Sequence, residues 1–295
     1  MERNQQTARA ALAALITAFF WASAFPAVKY LLDYYSATSI MLLRFFVASL
    51  TLSIVVIIKK VKIPEKKDLP LFALGGFLGI FLYAWLFITG TDFVPSGVSS
   101  FLIASAPVFT TLLSISILKE KVKLASWFGM LVSFCGLLMI TASQMSGFVM
   151  NVGVVLLVGA SIATSAYVII QRRLTKKYTP LTAAAYTVFF GTLFMLVFLP
   201  GLLWEMPGVP WVVNMIPVYL GVFPAATAYL CWAYAISKAR STAHVTMALY
   251  LVPFLATLLA FFLLNERISP SALIGGIVII LGMFISSRWG RHTRT

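Results

Sequence analysis

Charge is the scarcest property of this 295-residue chain: only 10% of its residues are Asp, Glu, Lys or Arg. Soluble domains are about a quarter charged and about half apolar, whereas 61% of these residues are hydrophobic and the mean hydropathy is +0.99. The 22 basic and 8 acidic side chains cannot cover the surface of a water-soluble fold of this length. That shortage excludes a soluble enzyme and a disordered chain. It also excludes a nucleic-acid binder, which the net charge of +14 would otherwise indicate.

Other absences narrow the chemistry. Cys135 and Cys231 lie inside apolar runs, so no disulfide framework exists and both thiols read as small buried hydrophobes. The two histidines, His244 and His292, belong to no Cys/His/carboxylate cluster, and no metal is expected. There is no phosphate-cradling glycine-rich loop with its lysine, so the chain hydrolyses no ATP and no cofactor is expected. Asp33, Asp92, Glu120, Glu205 and Glu266 all fall at the ends of apolar runs. A buried carboxylate relay of the kind that proton pumps carry is therefore missing.

What the chain has is apolar length. A helix needs roughly 20 apolar residues to cross the hydrocarbon core, and must cross as a helix because lipid offers its backbone no partner. Ten runs qualify, over 11–32, 38–58, 70–91, 96–118 and 124–143, then 152–171, 181–200, 215–236, 242–264 and 271–287. Arg3, Arg9 and Ala22-Ser23-Ala24 give the first run the look of a signal peptide. The internal repeat requires this run as a span, and it is read as one.

Basic residues set orientation. One side carries Arg3 and Arg9, Lys59 to Lys67, Lys119 to Lys123, Arg172 to Lys177, Lys238 with Arg240, and Arg288 to Arg294, nineteen in all. Arg267 is alone on the other side, and Lys29 and Arg44 fall within spans. Both termini are therefore expected in the cytoplasm of a multi-pass protein of the cell (inner) membrane.

A shift of 146 residues lays 70–140 over 216–286 without a gap. Pro107 falls on Pro253, Glu120 on Glu266, Gly129 on Gly275, Gly136 on Gly282 and Tyr83 on Tyr229. A proline, a lone glutamate and several glycines in one register are not a product of composition. Five spans per half is an odd number, so the halves lie in opposite orientations, as in the inverted repeats of secondary transporters. The expected fold is an all-α membrane protein of ten transmembrane helices in two inverted five-helix repeats, 1–143 and 152–287, with a basic cytoplasmic tail at 288–295.

These features, with Trp21-Ala22-Ser23, Arg44-Phe45 and two proline-containing spans ending in Leu118-Lys119-Glu120 and Leu264-Asn265-Glu266, resemble the EamA group of the drug/metabolite transporter superfamily. The resemblance covers nearly the whole chain. It implies a central cavity between the repeats, cytoplasmic termini, and efflux or exchange of small metabolites, with amino acids and their derivatives prominent.

Candidate cavity residues are the polar and aromatic groups within spans. Tyr83 and Tyr229 sit one turn beyond the small-residue stripes Gly75/Gly79 and Gly221/Ala225, which themselves read as helix packing. Trp21, Trp85 and Trp232 lie mid-span, away from the interfacial belt where tryptophan anchors. Ser161, Thr164, Ser165 and Tyr167 lie where the partner of Trp21 and Ser23 should be, though serines there can simply bond a carbonyl one turn back. Thr246, Tyr250 and Pro253 share a face. Pro107, Pro253 and Pro26 are candidate hinges. Lys29 near Asp33 reads as a snorkelling lysine. Arg44 is either a helix anchor bonding main-chain oxygens or part of an anion-tolerant entrance.

The expected function is a facilitator or exchanger that exports small metabolites, such as amino acids or related compounds, by alternating access. An importer of vitamins, nucleosides or other metabolites with the same fold is the alternative within transport. A lipid-handling membrane protein or flippase partner is the alternative of another class. The expected partners are a small-molecule substrate and the lipid bilayer, with no nucleic acid, and a homodimer is compatible with the sequence.

Overall fold

The computed structural model describes residues 2–93, 96–142, 152–239, 242–264 and 270–289. Among the described residues all regular structure is helical. Six continuous stretches are long and apolar enough to cross a membrane: Ala8–Leu31, Ala37–Ile58, Lys66–Asp92, Val152–Lys177, Pro180–Gly208 and Met215–Lys238. Shorter apolar helices cover Ala106–Leu118, Leu124–Gly136 and Met247–Ala256. The outer faces are apolar too, with Ile54, Phe128, Leu131, Ile277 and Phe284 all exposed. This is a surface suited to hydrocarbon, and the chain is a multi-pass membrane protein. Cys135 is exposed on that surface and Cys231 is half-buried, so only the second approaches the buried thiol expected of both.

In chain order the helices are α1 (Glu2–Leu31), α2 (Ala37–Ile58), α3 (Leu69–Gly76), α4 (Tyr83–Asp92), α5 (Ser96–Ile103), α6 (Ala106–Leu118) and α7 (Leu124–Ala142). They continue as α8 (Val152–Lys177), α9 (Pro180–Met195), α10 (Leu199–Glu205), α11 (Met215–Leu220), α12 (Ala228–Lys238), α13 (Thr242–Thr246), α14 (Leu251–Leu264) and α15 (Pro270–Trp289). Asn265, Glu266, Arg267 and everything after Trp289 lie outside the described residues.

Several of these helices join end to end through irregular turns. A π-helical stretch, Phe77–Leu82, links α3 to α4, and another, Gly221–Thr227, links α11 to α12. Widened turns of this kind free carbonyls and recur at functional sites. Here the freed groups find partners: the Tyr229 hydroxyl donates to Gly79 O (3.2 Å), the Trp21 indole N–H to Pro224 O (3.0 Å) and Thr227 Oγ1 to Val222 O (2.8 Å). Gly79 is obligatory for packing, since a Cβ there would sit 2.1 Å from the Tyr167 ring.

Of the candidate hinges, Pro107 does not kink a continuous helix, while Pro253 lies in a helical run, Thr242 to Leu264, just after it changes from 3-10 to α. Pro107 stands in the first turn of α6, after a break at Ala104-Ser105, and Pro253 in the first turn of α14, after the 3-10 turn Met247–Tyr250. That position needs no amide N–H, so proline begins each second segment without loss. Pro26 does lie inside a helix, α1.

Polar groups fix the ends of the bundle. Ser36 caps α2, accepting from Ser39 N at 3.3 Å, and Thr179 caps α9, accepting from Thr182 N at 3.1 Å. The tyrosine before each cap reaches another helix start: Tyr35 donates to Asn214 at the head of α11, and Tyr178 to Asp68 at the head of α3. Around Asp68, Lys177 Nζ lies 2.5 Å from Asp68 and 2.8 Å from Glu65, which also pairs with Lys67 at 2.9 Å. Glu120 accepts from the amide (3.0 Å) and hydroxyl (2.7 Å) of Thr242, tying the end of α6 to the start of α13. That bond accounts for the glutamate of the Leu-x-Glu motif.

α7 and α15 pack backbone against backbone. A Cβ on Gly136 would lie 2.5 Å from Gly275 O, and one on Gly282 2.4 Å from Ser133 Oγ. Small residues permit such an approach, and Ser133 Oγ completes it by donating to Ile279 O (3.2 Å).

Candidate substrate cavity

Tyr83 and Tyr229, 146 residues apart, face one cavity. A second pair in the same register, Ile103 and Leu249, lines it at the two helix breaks. Trp21, Ala24 and Phe25 of α1, Arg44 of α2, Phe87 of α4, Thr164 of α8, and Ala104 and Val252 beside the breaks complete the wall. Both halves of the chain therefore contribute. The cavity measures about 30 Å³, room for about two water molecules. Anything larger needs its walls to part.

Aromatic rings brace the wall against itself. Trp21 meets Tyr229 at 5.5 Å and Trp232 at 5.3 Å between centroids, Phe25 meets Phe87 at 5.2 Å, and Tyr83 stacks on Phe87 at 5.7 Å. Such pairs add about 0.5–1.5 kcal/mol each beyond the area they bury. Among the described wall residues the one charged group is Arg44, which is 3% exposed. Its guanidinium lies 5.2 Å from the Phe45 ring, and its buried Nε has no hydrogen-bond partner among the described residues.

The residues singled out in the sequence divide into three groups. Trp21, Arg44, Tyr83, Thr164 and Tyr229 line the cavity. Others are buried behind it: Trp232 against Trp21, Ser23 bonded to the Tyr219 hydroxyl (2.6 Å), Thr246 within the interior, and Tyr250 in a cluster with Ala104 and Met130. The serines of α8 are helix-to-helix ties, Ser161 Oγ donating to Leu102 O (2.7 Å) and Ser165 Oγ to Ala106 O (2.9 Å) and Ser161 O (2.6 Å). Trp85 belongs to none of the three, being 42% exposed on the outer face of α4. It lies two positions from Tyr83, and two residues in a helix span about 200°, which turns it away from the cavity. Lys29 does not pair with Asp33; it donates to Thr91 O (3.2 Å) and Asp92 O (3.4 Å) at the end of α4.

Phe25 and Phe87 are wall residues absent from the sequence candidates. Each follows a candidate, Trp21 or Tyr83, by four positions and so shares its face. That spacing was the available signal.

The model of the EamA-like transporter family matches the chain twice, over residues 8–142 and 151–288. The chain belongs to that family. A probable terminal-alkyne amino-acid exporter of Streptantibioticus cattleyicolor is 36% identical over 281 residues, covering 95% of this chain and 94% of its own. The uncharacterized transporter YdfC of Bacillus subtilis is 32% identical over 263 residues, covering 89% and 86%. A solved crystal structure with 17% identity superposes with a TM-score of 0.79 over 95% of this chain and 98% of its own, which shows the shared fold. Like the two named relatives, the chain is a transporter.

Proposed function

We propose that this family member is a secondary transporter that exports small metabolites, amino acids or related compounds, by alternating access. Ten spans would form two inverted halves of five, in the cell membrane, with both termini in the cytoplasm. The observation that carries this reading is the cavity, lined from both halves by residues in one register, Tyr83 with Tyr229 and Ile103 with Leu249, at the points where helices are interrupted. Irregular backbone at membrane depth belongs where it lines a cavity, and transporters bind substrate at the interface of their repeats. The amino-acid exporter relative supports the substrate class and the direction. Catalysis is not part of this reading, because the wall carries no acid, base or nucleophile set.

The test is growth protection. Cells overexpressing the chain are challenged with toxic amino acids, amino-acid analogues and purine analogues, with membrane insertion verified in parallel. Protection against members of the first two groups, with lower intracellular accumulation, is the expected result. Protection against none of them by an inserted protein overturns the reading.

A further inference from the structure

Among the described residues, three basic side chains reach inward from the helices of this bundle, and two of them have clear structural partners. Lys29 donates to Thr91 O and Asp92 O at the end of α4, and Arg172 donates to Ile236 O and to Ala239 O (2.7 Å) at the end of α12. Both act as C-terminal helix caps, placing a cation against unsatisfied carbonyls. Arg44 is different. It is as buried as the core, its Nε is unpartnered among the described residues, and it borders the cavity. Its main chain is held by close packing, since a Cβ on Gly221 would lie 2.8 Å from Arg44 O. A buried cation without an opposing charge is costly unless something supplies one.

We propose, resting on the transporter reading above, that Arg44 is the docking group for a substrate carboxylate, and that the cavity selects monocarboxylates with an apolar body rather than amino groups. The planar guanidinium suits a two-oxygen anion. A single cation in the wall matches one negative charge, not the two of a phosphate monoester. Opposite it stand ring faces and the aliphatic chains of Ile103, Leu249 and Val252. None of the described wall residues is acidic, so an ammonium group meets only neutral partners, ring faces and the hydroxyls of Tyr83, Thr164 and Tyr229, a weaker interaction than the charge-assisted one the carboxylate receives. The amino acid and its des-amino analogue therefore bind comparably, and the amide, which keeps the amino group and loses the anion, does not.

The experiment is counterflow in proteoliposomes containing the full chain, with leucine, isocaproate and leucinamide, and with phenylalanine, hydrocinnamate and phenylalaninamide. Wild-type protein is expected to move the acids of at least one series, with or without the amino group, and to move its amide at least roughly tenfold less well. R44Q is expected to raise the KM for the acids at least roughly tenfold, and R44K to fall between, because it keeps the charge and loses the fork. Movement of amides as good as that of acids, preference for amino acids over des-amino acids, or an unchanged KM in a folded R44Q each overturns the docking assignment while leaving transport standing. Movement of none of the six compounds by correctly inserted protein overturns both. The wild-type series decides the matter without any variant, should R44Q not fold.

Discussion

Tyr35 and Tyr178 join helices at opposite ends of α2, with the same geometry and different chemistry. Each precedes a capped helix start, Ser36 for α2 and Thr179 for α9, and each donates its phenol to the residue just before another helix, Asn214 or Asp68. At the first junction the acceptor is a neutral amide, and Glu205 only accepts from Ser36 N (3.0 Å). At the second it is a carboxylate inside the Lys67–Glu65–Lys177–Asp68 chain. The π-helical stretches form another such pair. The first needs glycine at 79, where the Tyr167 ring lies against the backbone, whereas its counterpart in the second is Ala225, fully buried and accommodated. A repeated fold thus keeps its contacts and lets each copy choose how tightly packed, or how sensitive to solvent, the contact is.

The largest expected effect comes from erasing the packing difference. Gly79→Ala drives a methyl into the Tyr167 ring and should destabilise the protein by about 1–3 kcal/mol, as overpacking does. The reverse change, Ala225→Gly, adds backbone freedom and removes no contact partner of that kind; about 0.5–1 kcal/mol is expected. Unfolding in detergent micelles measures both, and equal losses would break the comparison.

Next comes the chemistry of the junctions. Asp68→Asn makes the second junction resemble the first. Hydrogen exchange of residues 59–68 should then show less of the salt dependence expected of an exposed ion-pair network in the wild type, since only the Lys177–Glu65–Lys67 pairs remain, while residues 205–214 show none in either protein. Salt-independent exchange in both regions of the wild type would remove the distinction.

The smallest effect is that of pH. Hydrogen bonds from Lys177 and then Lys67 hold the Glu65 carboxyl below the usual carboxylate range. A lowered value means that the assembled cluster gains from Glu65 at any pH above that range, and loses the gain as pH falls through the lowered value. Protection near residue 65, meaning exchange corrected for its intrinsic pH dependence, should therefore be steady through neutral pH and fall only in acid, and the Tyr35 junction should not follow it.

Much of the cavity was legible because scarcity points. A lone arginine and two tyrosines in one register stand out from apolar sequence, and the shift of 146 paired Tyr83 with Tyr229. The tyrosine junctions were hidden by the same device, since Tyr35 and Tyr178 are 143 residues apart and fall out of that register in the loops before α2 and α9. Trp85 misled because a mid-span tryptophan carries no mark of the direction it faces. The serines of α8 could not be resolved from sequence either, because a hydroxyl that bonds its own helix and one that bonds a neighbour have the same spacing. The break before Pro107 was not legible, because a proline at the start of a helix and one within it look alike when the preceding residues are also apolar.

The clasp between α7 and α15 bears on how the cavity can open. These helices come from opposite halves of the chain, yet their backbones touch and a side-chain hydroxyl of one is bonded to a carbonyl of the other. Ala104, Met247 and Tyr250, at the two interrupted helices, pack against Met130 and Ile279 of that pair. A rotation that parts the cavity walls cannot also part this clasp without exposing its glycine-lined seam to lipid. In the alternating-access reading proposed above, the pair would be the axle of the molecule, and the interrupted segments lying on it the bearings about which the two halves would turn.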